Sequence, residues 1–129
     1  MWTVAIALCS TLLLARCSVV SLVNAAVWGD AERGAQIFAQ GRADAPACST
    51  CHHTVQGQSG FSVGPTLAGI AERARTRVAG MTAAEYVRQS ILEPHRHVAP
   101  GYRNMMYPDY RQSLSDQDVW DLVAYLLTL

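Results

Sequence analysis

Residues 48 to 53 read CSTCHH, placing two thiols two residues apart and an imidazole directly after the second. Three chemistries use thiols at this spacing. A dithiol–disulfide redox pair expects to open a helix within a strand–helix–strand unit. No such pattern surrounds Cys48 and Cys51, and His52 would have no part in it. A zinc site would draw on Cys48, Cys51, His52 or His53, and His95 or His97, but lacks a second regularly spaced ligand pair to complete a tetrahedron. The third chemistry is covalent haem attachment. Both thiols then add to the vinyl groups as thioethers and the adjoining His52 imidazole ligates iron, which uses every residue of the pentapeptide.

A haem must be enclosed by something, and the chain is long enough for one domain with a modest core: 129 residues, half of them apolar. Ten arginines, no lysine and ten acidic residues give zero formal charge. The single-sign field of a nucleic-acid binder is therefore excluded. From residue 29 onward the apolar spacing is helical and no alternating run argues a sheet, so the fold class is all-α. The first helix is predicted to start after Asp30, with Gly34, Ile37 and Phe38 on one face. A second covers 66–77. A third opens on the capping box Thr82-x-x-Glu85 and stops before Pro94, and the last starts on Ser115 and buries Val119, Leu122, Val123 and Leu126. These four helices leave two long irregular stretches, 41–65 and 93–114. Loops of that length in so small a domain need something to hold them, and a large buried ligand would hold both.

Residues 1–27 form a separate segment. Val4 to Val27 are almost wholly apolar, interrupted by Arg16, and at about 1.5 Å per residue they span enough length to cross a hydrocarbon core of about 30 Å. Eleven Leu, Ile and Val residues oppose the cost of Arg16 near mid-span. The segment is read as a retained signal-anchor helix; release after the small-residue run Val23-Asn24-Ala25, giving a new start at Ala26, is the competing outcome. An arginine immediately before Cys17 argues against lipidation there. Cys9 and Cys17 act as small apolar residues, which leaves Cys48 and Cys51 for chemistry. Both outcomes export the domain at 28–129 across the membrane.

The motifs GAQIF, CSTCH, GPTLAGIAER and NMMYPDYRQSLSDQDVWDLVAYLLTL follow one another in the order seen in class I cytochromes c. The chain resembles that family over essentially all of 29–129, with a nearer similarity to mono-haem domains of bacterial respiratory or photosynthetic electron-transfer chains. The resemblance implies that Cys48 and Cys51 hold one haem c, that His52 is the proximal ligand, and that the Pro65 carbonyl accepts from its imidazole N–H. It implies that the Gly34 and Phe38 face crosses the last helix near Tyr125, and that Arg73 donates to a haem propionate. It also implies a distal methionine in the loop before the last helix. The family usually has proline directly after that methionine, whereas here the loop reads Met105, Met106, Tyr107, Pro108. Counting from Leu114 favours Met106; Met105 needs a one-residue slip. Met81 is read as a packing residue, His95 and His97 offer a bis-histidine alternative, and His53 is expected on the surface. The run Arg73, Arg75, Arg77 reads as a solvated face or a docking patch for an acidic partner.

With His52 and Met106 on iron no coordination position is open, so the resemblance implies a one-electron carrier rather than an enzyme. Its expected partners are redox proteins, chiefly other subunits of a membrane complex reached through the N-terminal helix, with the haem domain on the periplasmic side of a bacterial cytoplasmic membrane. A free periplasmic shuttle is the alternative. A haem-based ligand sensor would require a labile methionine, and a haem serving only as a folding staple is a third reading.

Overall fold

The computed structural model describes residues 29–57 and 62–129. The expected helix at 1–27 lies outside the described residues. Among those described, five α-helices and one 3-10 turn occur with no strand: α1 (Ala31–Gln40), the 3-10 turn Cys48–Thr50, α2 (Ile70–Ala74), α3 (Ala83–Leu92), α4 (Tyr110–Ser113) and α5 (Asp116–Leu126). None of these helices is long and apolar enough to cross a membrane.

The helix starts follow local chemistry. Asp30 caps α1 by accepting from the amides of Glu32 and Arg33 at 2.9 and 3.2 Å. Thr82 and Glu85 form the predicted capping box on α3, and Ser115 and Asp118 form another on α5. Each satisfies amides that the first turn leaves without helical partners. By contrast α2 begins four residues later than predicted. Gly69 sits before it at φ +70°, the left-handed region that glycine occupies at little cost, and the amide of Leu67 donates to the His53 carbonyl rather than to a helix. The unpredicted α4 is a single turn after Asp109, without a side-chain cap.

α1 and α5 cross closely. A Cβ at Gly34 would overlap the Asp121 carbonyl and come within 2.9 Å of Tyr125 Cβ, so only glycine lets the two backbones approach this far. Beside it, Phe38 and Tyr125 pack with ring centroids 5.4 Å apart, tilted by 56°. The expected crossing is therefore present. Polar locks flank it: Asp121, fully buried, accepts from the Asp30 amide at 2.7 Å, from Gln117 Nε2 at 2.9 Å and from Arg33 Nε. Asp118, 3 % exposed, accepts from Arg33 Nη2 at 3.1 Å and Arg42 Nε at 2.9 Å. Buried carboxylates are tolerable because each is paired and hydrogen-bonded. Burial pushes the Asp118 carboxyl up, but the Ser115 hydroxyl and amide together with Arg42 and Arg33 outweigh it, and the net displacement is below the usual carboxylate range.

Candidate haem site

α3, α5 and the two long loops enclose a cavity of about 470 Å³, a size that takes an organic cofactor. Phe38, Ile70, Val87, Ile91 and Leu126 give it an apolar interior. The predicted site residues Cys48, Cys51, His52, Pro65, Arg73 and Met106 all lie on its wall.

On one wall, the 3-10 turn is closed by the Cys51 and His52 amides donating to the Cys48 carbonyl at 3.1 and 3.0 Å. The Cys51 carbonyl in turn accepts from the Gly64 amide at 2.9 Å and the Ser62 hydroxyl at 2.8 Å, which fastens the second loop segment beneath the turn. Neither Cys48 nor Cys51 is in a disulfide. Burial pushes the Cys48 thiol up to about 11, so at neutral pH it stays protonated in the folded chain.

His52 Nδ1 lies 2.8 Å from the Pro65 carbonyl oxygen. A carbonyl only accepts, so Nδ1 carries the proton and donates. The neutral ring is then left with Nε2 as its lone-pair donor to a metal. Burial lowers the His52 pKa, against the raising effect of the Pro65 bond, and thus favours that neutral form. Gly64 makes the approach feasible: a Cβ there would stand 2.5 Å from His52 Cε1 and 2.8 Å from Nδ1. Hence the glycine and the proline of GPTLAGIAER act together on one imidazole.

Arg73 holds the same loop from behind. Its Nη2 donates to the Thr66 carbonyl at 2.7 Å and its Nη1 to the Ala68 carbonyl, so much of its donor capacity goes to backbone next to Pro65. It still reaches the cavity wall, as do Arg77 and Arg103, and the described lining contains no carboxylate. An anionic edge of a bound cofactor would meet only positive charge there. Arg75 belongs elsewhere: it pairs with Glu72 at 3.4 Å on the exposed surface. The arginine run is therefore divided between cavity and solvent.

The two methionines differ. Met106 is half-buried and packs against the core, whereas Met105 is 61 % exposed, although both border the cavity. His97 also lines the cavity, but its Nε2 is 2.6 Å from Gln89 Oε1 and its ring packs against Tyr86 with centroids 5.3 Å apart, tilted by 40°. His95 is exposed. His53 departs from expectation: its ring Nε2 is enclosed and finds no hydrogen-bond partner among the described residues, where a solvated surface histidine was expected. Its carbonyl is what the fold uses, accepting from Leu67 at 2.7 Å.

The cavity, the imidazole oriented by a proline carbonyl and the paired thiols fit a covalently attached macrocycle. A family model described as cytochrome c matches residues 31–129, more than half of the chain. The chain belongs to the cytochrome c family. No curated protein matches it. Membership makes this cytochrome a haem-based electron-transfer protein carrying covalently attached haem c. Arg103 and Tyr110 are among the residues of the cytochrome's cavity wall that sequence reasoning did not single out. No local signal marked either, since both lie in or beside a loop whose path only the fold defines.

Proposed function

We propose that this cytochrome is a one-electron carrier whose haem is joined to Cys48 and Cys51 and ligated by His52 and Met106. The observation that carries the reading is the 2.8 Å contact from His52 Nδ1 to the Pro65 carbonyl, which fixes the tautomer a proximal ligand needs. The partial burial of Met106 against the core, set beside the exposure of Met105, supports the choice of distal ligand. Bound in this cavity, the haem iron supplies reversible exchange between ferric and ferrous states, and a thioether ligand favours the ferrous one. The chain's own part is to orient the His52 imidazole through Pro65, to exclude water with the apolar interior, and to hold Met106 against the core. Arg73, Arg77 and Arg103, all on the cavity wall, would supply positive charge for the propionates.

The carrier is tethered through residues 4–27 to a larger respiratory or photosynthetic complex, with the haem domain on the periplasmic side of a bacterial cytoplasmic membrane. The length and apolar character of that segment support this placement, and the Val23-Asn24-Ala25 run defines the opposing outcome of a free shuttle.

Replacing His52 and His53 separately by alanine tests the ligand assignment. His52→Ala should fail to mature or should bind added ligands at iron, while His53→Ala keeps the parent optical spectrum. Equal damage from both would remove the basis for His52 as the proximal ligand.

A further inference from the structure

Tyr110 opens α4, four residues after Met106, and is only 5 % exposed. Its hydroxyl donates to the Pro46 carbonyl at 3.2 Å across 64 positions of sequence, two residues before Cys48, and faces the Cys48 sulfur. Its ring meets Tyr107 edge-on, with centroids 5.0 Å apart and planes at 78°. Tyr107 directly follows Met106, and its own hydroxyl lies 3.3 Å from Ser113 Oγ on α4. One buried side chain thus spans from the methionine loop to the turn bearing the attachment cysteines.

We propose that Tyr110 is a positioning residue that holds the Met105–Met106 loop closed by fastening it to the attachment turn. This rests on Met106 being the distal ligand. The physical reason is that the bond to Pro46 joins the two segments only while the loop is closed. The Tyr110 ring is buried, and in that arrangement its hydroxyl meets the Pro46 carbonyl. Removing the hydroxyl deletes a bond that the closed loop makes and the open loop does not, so the variant shifts the equilibrium toward opening. Tyr107, next to Met106 in the chain and edge-on to Tyr110, passes the constraint to the ligand itself. Burial raises the Tyr110 phenol above its ordinary pKa, so the hydroxyl stays a donor at neutral pH.

The test uses the ferric holoprotein, its methionine–iron charge-transfer band and imidazole as competing ligand. Tyr110→Phe keeps the ring and removes the hydroxyl. It should retain the band without added ligand yet bind imidazole about tenfold more tightly, a change equivalent to about 1.4 kcal/mol. Val119→Ala, which weakens α5 at a position that does not line the cavity, should lower thermal stability and leave imidazole affinity unchanged. Equal affinity in Tyr110→Phe and the parent, with the band present in both, would overturn the positioning role and leave methionine ligation standing. Absence of the band from the parent would overturn both. A second measurement needs no variant: in the diamagnetic ferrous protein the Tyr110 hydroxyl proton should exchange slowly and show magnetisation transfer to Cys48 and Tyr107. A rapidly exchanging hydroxyl without those contacts would equally overturn the proposal.

Discussion

Gly34 of α1 lies against the carbonyl of Asp121 on α5, so close that a Cβ would overlap it. The contact joins the two ends of the haem domain and sets the wall on which Phe38 and Leu126 face the cavity. Gly34→Ala should therefore separate the helices and cost about 1–3 kcal/mol, the range for an overpacked interior. Denaturant unfolding of the holoprotein with an unchanged slope and a lowered midpoint would show it; an unchanged midpoint would mean that the crossing is looser than described.

Gly64→Ala should act on the iron site rather than on global stability. The added methyl would stand 2.5 Å from His52 Cε1, and the ring can relieve that only by turning away from the Pro65 carbonyl. Loss of this bond weakens the imidazole as a donor, so the ferric state loses stabilisation and the midpoint potential should rise. Potentiometric titration of variant and parent checks the direction.

The α1–α5 locks impose an acid limit. Asp118 is held below its ordinary pKa in the folded chain, so between the folded and unfolded values the unfolded chain binds more protons. Its contribution is complete at neutral pH, starts to fade near the ordinary carboxylate value of about 3.9, and is lost as pH falls through the folded value. Asp118→Asn should lower stability at pH 7 by about 1–3 kcal/mol and flatten the acid limb of the stability profile. An acid limb as steep as the parent's would assign the effect to other carboxylates.

Tethering through residues 4–27 would show in the mature protein itself. A retained segment leaves the mature protein starting at or near Met1, in the membrane fraction, resistant to high-salt washing and accompanied by integral membrane chains, because Arg16 near mid-span needs a partner helix or a hydrated crevice. N-terminal sequencing decides it: a start at Ala26 with haem protein in the soluble periplasm would replace the tethered subunit with a free shuttle.

Where local chemistry decides structure, the sequence was readable. Thr82 with Glu85 and Ser115 with Asp118 mark helix starts because capping needs only neighbours in sequence. The family was legible in the CSTCH run for the same reason, since the attachment and ligation proposed for it would need only five consecutive residues. The start of α2 was not, because Gly69 and the Arg73 bonds to the Thr66 and Ala68 carbonyls override an apolar period that alone extends back to Thr66. Long-range polar pairs were invisible altogether: Asp121 meets the Asp30 amide across 91 positions and Tyr110 meets Pro46 across 64. His53 failed in the opposite direction, for its exposure depends on how the segment after CSTCH folds back, which spacing does not record.

Whether His52 and Met106 together close the iron is read from the ferric optical spectrum of the parent, Met106→Ala and Met105→Ala, repeated on the reduced proteins under carbon monoxide. A methionine–iron charge-transfer band is expected in the parent and in Met105→Ala, with its loss in Met106→Ala and carbon monoxide binding only in that last variant. Loss of the band in Met105→Ala alone would move the ligand by one residue, and a parent that binds carbon monoxide readily would contradict the closed-site carrier.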